Sequence, residues 1–212
     1  MKTVAIVSQK GGSGKSTLSL HLAAHHASRG SKTLLLDMDP QGNLVGWAKR
    51  RGDVPPDVDT AHASQLGKVL EAARADGYDL VVLDTAPSAD RASLGAVEAA
   101  DLVLIPCRPA QFDLDAVMTT VKLVRMVGKP FAVVLNAAPP RSRVTEEAAL
   151  GLAEAGAPVS QATVYQRVAL QHCLIDGRTA QEFDPGCPAA REIERLYLDM
   201  MTRLHADTKE AA

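Results

Sequence analysis

Short blocks of consecutive apolar residues recur along the chain. Between them lie longer stretches in which apolar positions return every three or four residues. Val4-Ala5-Ile6-Val7, Thr33 to Leu36, Tyr78 to Asp84, Asp101 to Pro106 and Phe131 to Asn136 are the blocks. Each is short and built mostly of Val, Leu and Ile, the pattern of strands buried on both faces of a sheet. The stretches between them read as helices: Leu18 to Arg29, Gln65 to Ala75, Arg91 to Ala100, Asp113 to Val127, Thr145 to Ala155 and Ala189 to Leu204. Leu114, Val117, Val121 and Val124 form the inward stripe of one, and Ile193, Leu196, Tyr197, Met200, Met201 and Leu204 that of the last. Thr145 suggests a loose capping box, with Ala148 where Glu would complete it. Residues 51–60, with Gly52, Pro55 and Pro56 among aspartates, predict a surface loop, and Pro158 to Val164 predicts a weak strand. Strands alternating with helices over short links predict an α/β fold. A mainly parallel twisted sheet is flanked by helices in one domain, 1–212, without repeats or linkers.

Composition narrows the class. A net charge of −2 argues against a constitutively strong nucleic-acid binder and leaves room for a local basic patch. No apolar run is long enough to span a bilayer, and a strand that begins by Lys2-Thr3 leaves no room for a signal peptide. Cys107, Cys173 and Cys187 are odd in number, widely spaced and without a C-x-x-C, which fits reduced thiols in a cytosol.

The first strand runs into Lys10-Gly11-Gly12-Ser13-Gly14-Lys15-Ser16-Thr17, and a helix follows. Strand, glycine-rich turn and helix is the context of a phosphate-binding loop. Glycines let successive N–H groups turn inward, and the helix start adds its unpaired N–H groups and the positive end of its dipole. Lys15 would reach the β- and γ-phosphates, and the Ser16 hydroxyl would sit on Mg²⁺. The standard motif places its first glycine five positions before Gly14, where this chain has Gln9; a second lysine, Lys10, stands next to it instead.

Three further strand ends carry polar groups, at the edge where parallel sheets bind ligands. The second strand ends in Asp37-Met38-Asp39-Pro40-Gln41-Gly42-Asn43. Tyr78 to Asp84 is an apolar strand closed by a carboxylate, the Walker B pattern, with Thr85-Ala86-Pro87 making the turn. Asn136 can offer adenine's edge one donor and one acceptor, or simply form a turn. Trp47 reads as packing.

K-G-G-x-G-K-S-T with its early lysine resembles the deviant Walker A loop of the ParA/MinD ATPases, and D-x-D-P-Q-G-N and D-x-x-P resemble their switch segments. The resemblance covers most of the chain and is closest to small ParA-type partition ATPases of the P-loop fold. It implies that Asp39 handles the attacking water, that Asp37 and Asp84 help hold the magnesium shell, and that Asn136 reads the base. It implies that Leu174 to Pro185, with Asp184 and Pro185, lies on the adenine side. It also implies a slow, partner-stimulated ATPase with ATP and Mg²⁺. The active form would be an ATP-dependent homodimer in which Lys10 reaches the other chain's phosphates. Relatives bind DNA without sequence preference and answer to a ParB-like or cargo-bound activator. Arg167, Arg191, Arg195 and Arg203 are the candidate DNA contacts in this chain. The implied function is plasmid or chromosome partition, cytoplasmic and nucleoid-associated in the ATP state. The alternatives are positioning of a protein cargo and a metabolic ATP-dependent ligase on the same fold.

Other features point elsewhere less well. His21 and His25 are four apart and could share a metal, but an exposed helix face accounts for them and no third ligand follows. No C-x-x-C supports an iron–sulfur site. The last helix mixes Glu192, Glu194, Arg195, Asp199 and Arg203 on its polar face, unlike a basic membrane anchor.

Overall fold

The structure, a computed structural model, describes residues 1–87 and 91–210, apart from the side chains of Arg91 and of residues 207–210. Among the described residues, six strands form one parallel sheet: β1 (Lys2–Ile6), β2 (Thr33–Asp37), β3 (Asp57–Thr60), β4 (Leu80–Asp84), β5 (Leu102–Cys107) and β6 (Phe131–Leu135). Their order is β3-β2-β4-β1-β5-β6. The helices are α1 (Lys15–Ala27), α2 (Asn43–Arg51), α3 (Leu66–Ala75), α4 (Arg91–Ala99), α5 (Gln111–Val127), α6 (Val144–Glu154), α7 (Ala169–His172), α8 (Ala180–Phe183) and α9 (Pro188–Glu210).

Alternate residues of each strand feed two cores, as the pleat requires. Val4, Ile6, Leu35, Val82, Leu104 and Val134 face α1, Trp47 of α2, and the Ile193–Leu196–Met200 side of α9. Ala5, Leu36, Leu83, Ile105 and Val133 face the opposite layer, made of α3, α4, α5 and α6. β1 lies between β4 and β5, so its end opens at the point where the strand order reverses and a ligand crevice forms.

Several expectations are corrected. The region predicted as a loop contains β3, which pairs Leu34↔Asp57 through Asp37↔Thr60 at the sheet edge. Its exposed, charged residues give no apolar signal and suit an edge that must not recruit another chain. Asn43 to Arg51, assigned no element in the sequence, is α2. Pro158 to Val164 does not form a strand; it runs beside β6 through single bridges, Val133↔Val159 and Ala138↔Tyr165. Thr145 is not a cap. It sits inside α6, buried, and its hydroxyl has no partner among the described residues. The capping box belongs to Thr179 and Glu182 at α8. His21 is not on an exposed face. It is fully buried; its Nδ1 donates to the Thr17 carbonyl at 2.8 Å and its Nε2 accepts the Ala180 N–H at 3.1 Å. Burial pushes the His21 imidazole down to about 4. The cause is topology: α1 is covered by the sheet on one side and by α9 and residues 173–180 on the other. Among the described residues, no helix is long and apolar enough to cross a membrane.

Candidate functional site

The glycine loop leaves β1 and enters α1 at Lys15. Gly12 and Gly14 have φ of +72° and +93°, so both occupy left-handed conformations that favour glycine. Gly14 is doubly constrained, because any Cβ there would collide with the Asn136 side-chain nitrogen. That nitrogen donates to the Ser13 carbonyl at 2.7 Å. Asn136 therefore braces the loop from the end of β6, a contact the sequence could not disclose. Ser13 is buried, and its hydroxyl finds no partner among the described residues. An orphaned hydroxyl inside a cradle of inward-turned backbone is a fit for an anionic ligand.

Lys15 is buried, and burial holds its ammonium below the usual lysine range against the opposing pull of Asp84 and Asp39. Asp84 ends β4 next to Asp37 at the end of β2. Ser16 Oγ donates to Asp84 at 2.6 Å, and Ser19 Oγ lies 2.9 Å from the other carboxylate oxygen. Burial pushes Asp84 up to about 7; the two hydroxyls lower it, and the neighbouring Asp37 charge raises it further. A hydroxyl and a carboxylate in contact at the base of a phosphate loop form a hard oxygen pair suited to Mg²⁺. Ser19, absent from the sequence-derived set, belongs to this group.

The switch carboxylates differ in what they hold. Asp37 is buried and accepts backbone N–H groups from Asp39 at 3.1 Å and Leu44 at 2.9 Å. It fixes the turn and the start of α2, which explains how a short helix containing Gly46 forms there. Asp39 is half-buried and accepts from the Gln41 N–H at 3.0 Å. Lys10 points away from its own loop: Nζ lies 2.7 Å from Asp113 in the first turn of α5, with Lys10 38% exposed and Asp113 13%.

Beside the loop, a cavity of about 270 Å³ is lined by Gly12, Gly14, Thr17, Arg108, Asn136 and Gln171, with Tyr165 and Arg167 at its wall. Gly11, at the exposed crest of the loop, does not line it. Asp184 and Pro185 are also absent from this lining. Asp184 follows α8, is exposed, and accepts the Gly186 N–H at 3.0 Å. α8 itself packs on the middle of α1 through His21 and Gln181–His25, not on the loop. The segment that flanks this cavity is 165–171, whereas 184–185 lies beyond α8.

The four arginines do not form one patch of free charge. Arg167 is paired with buried Glu192 at 2.7 Å, and Arg203 with Asp199 at 3.0 Å. Arg191 donates to the Gly186 carbonyl. Arg195 is exposed and has no partner among the described residues.

Comparison with known proteins agrees with this geometry. Residues 4–180 match the CobQ/CobB/MinD/ParA nucleotide binding domain. A maintenance of carboxysome distribution protein A from Gloeobacter kilaueensis is 35% identical over 99% of this chain and 96% of its own. The chromosome-partitioning ATPase Soj of Thermus thermophilus is 28% identical over 96% and 97%. In fold, the septum site-determining protein MinD of Pyrococcus horikoshii, complexed with Mg-ADP, superposes with a TM-score of 0.73. That likeness covers 92% of this chain and 94% of that one at 18% identity. Parallel sheet, glycine loop, Walker B carboxylate and full-length likeness converge: the chain belongs to the CobQ/CobB/MinD/ParA family of P-loop nucleotide-binding ATPases.

Proposed function

We propose that this chain is an ATP-switched, dimerising ATPase that distributes a cargo over DNA, acting as a single ParA-like domain. The observation that carries the reading is the division of labour between its two loop lysines. Lys15 is buried at the base of the loop, where it would pair with the terminal phosphates of its own nucleotide. Lys10 reaches outward to Asp113 and is free of its own loop, as a residue meant for a second chain's phosphates must be. A cation supplied in trans to a phosphoryl-transfer site is worth about 10³–10⁵ in rate, so turnover waits for dimer closure.

Within each site, the backbone of Gly11 to Thr17 and the Lys15 ammonium would bind and orient the polyphosphate. Ser16 and Asp84 would hold Mg²⁺, whose positive charge offsets charge developing on the phosphate oxygens. Asp37 keeps the switch turn in shape, and Asp39 would orient water for attack on the γ-phosphorus. The new P–O bond forms as the bond to the ADP oxygen breaks, and the water's proton leaves with the phosphate product. Asn136 braces the loop and leaves its carbonyl oxygen for the base.

Two cargoes suit this machine. The likeness to the chromosome-partitioning ATPase Soj supports chromosome partition; a plasmid cargo and a ParB-like activator would suit the same machine. The likeness to a carboxysome distribution protein over nearly the whole chain favours a second reading, in which the cargo is a protein assembly. Both require DNA binding by the ATP dimer. Arg195 is the strongest of the four candidate contacts, because Arg167 and Arg203 are already tied to carboxylates.

The test is light scattering and gel shift on unrelated duplexes with ATP or ADP. Wild type should dimerise and bind DNA only with ATP, losing affinity with salt by about 0.9 in log–log slope per phosphate contact. Lys15→Ala should lose nucleotide, and Asp39→Ala should accumulate as the ATP dimer. An ATP dimer that ignores DNA even at low salt would remove this reading and favour a metabolic ligase.

A further inference from the structure

β5 ends at Cys107, whose carbonyl accepts the Asn136 N–H at 2.8 Å. The next side chain, Arg108, is launched from the same sheet edge as the glycine loop and turns back over it. A Cβ built on Gly12 would stand 3.6 Å from Arg108 Nη2. Arg108 lines the loop-side cavity with Gly12, Gly14, Thr17 and Asn136. The cavity's other guanidinium, Arg167, is neutralised by Glu192. Arg108 makes no side-chain hydrogen bond or ion pair among the described residues, so its charge faces the cavity uncompensated.

We propose that Arg108 is a nucleotide-binding residue acting in cis, closing over Gly12 onto the phosphates of a nucleoside di- or triphosphate held by its own loop. The inference rests on the nucleotide reading above. A guanidinium offers a planar fork of donors matched to phosphate oxygens, and an exposed one gives up little hydration to make that contact. At Gly12 the loop backbone lies within van der Waals reach of the fork, a Cβ there standing 3.6 Å from Nη2. The loop then meets its ligand between two cations, Lys15 from beneath and Arg108 from the strand beside it. Neither depends on a second chain.

Calorimetric titration of wild type, Arg108→Ala, Arg108→Lys and Lys15→Ala with ADP and with ATP, Mg²⁺ present, tests this. Arg108→Ala should bind ADP roughly tenfold to a hundredfold more weakly, the loss of one charge-assisted contact. Arg108→Lys should recover part of the affinity, keeping the charge without the fork. Melting temperatures without nucleotide should be unchanged, because the side chain is exposed. Wild-type ADP affinity in Arg108→Ala overturns the inference alone, provided Lys15→Ala still abolishes binding. A loss confined to the ATP dimer, with ADP affinity intact, also overturns it, by moving the contact to the partner's nucleotide. If wild type binds neither nucleotide, the nucleotide reading itself falls.

Discussion

Replacing Asp113 by Asn would release Lys10 without touching the loop. In the isolated chain the two are bonded at 2.7 Å, with the lysine 38% exposed and the aspartate 13%. A partly exposed ion pair of this kind contributes about 0.2–1 kcal/mol. If Lys10 must let go before it can reach another chain, each dimer breaks two such contacts. Removing both therefore favours closure by about 0.4–2 kcal/mol, or roughly 2- to 30-fold in the dimer dissociation constant. Sedimentation velocity over a protein concentration series with ATP and Mg²⁺ measures that constant; ADP is the control and should show no change. The difference should shrink at high salt, where the pair is screened. Lys10→Ala should fail to dimerise. The double variant should behave like Lys10→Ala, because Asp113 acts through Lys10 and the two effects do not add. An Asp113→Asn protein whose ATP dimer is no tighter than wild type would refute the idea that this contact restrains the switch.

Two predictions concern the joint between α1, α2 and the segment after α7. Because His21 falls from 6.5 to about 4, the unfolded chain binds a proton between those pH values and the folded chain does not. Stability should drop as pH falls through that window, by on the order of 3 kcal/mol at its lower end. Asp84, raised to about 7, contributes the opposite slope, so the measurement is urea midpoint against pH for wild type and His21→Gln. Identical slopes would contradict the assignment. Gly177 has φ of +78°, and a Cβ there would stand 2.5 Å from the Arg51 backbone nitrogen. Gly177→Ala should cost about 1–3 kcal/mol of overpacking, with a further 1–2 for the left-handed backbone. A neutral thermal melt would mean that residues 174–182 do not dock on α2, where Arg51 donates to the Gly177 carbonyl at 3.0 Å and to Glu182 at 2.8 Å.

Five strands and the loop were legible because strands buried on both faces must be apolar throughout, and because a phosphate loop needs glycines at fixed spacing. β3 was not, since an edge strand is held by backbone bonds to β2 and only Val58 of its four residues packs on the core. α2 was not, since its start is secured by Asp37 from another element. Periodicity placed His21 on a helix but could not say that α9 and residues 173–180 would cover it. The complete capping signal is present in sequence as Thr179-Ala180-Gln181-Glu182, whereas Thr145 has Ala148 where the box needs Glu. Within the site, the residues adjacent in sequence were found together. Ser19, the Asn136 brace, Lys10 against Asp113 and Arg108 over Gly12 depend on juxtapositions of distant segments, which spacing alone does not encode.

The position of β1 has a consequence for how the protein is made. β1 is synthesised before the sheet's other strands, yet its neighbours are β4, paired from Lys2↔Leu80 to Ile6↔Asp84, and β5, paired at Val4↔Leu102. A ribosome moving at about 5–20 residues per second holds those two edges open for roughly 5–20 seconds, until Cys107 has emerged. During that interval Val4, Ala5 and Ile6 are an apolar segment with unpaired backbone, the kind that recruits other strands. A nascent chain halted before β5 should therefore be caught by a holding chaperone, and one halted after β6 should escape it.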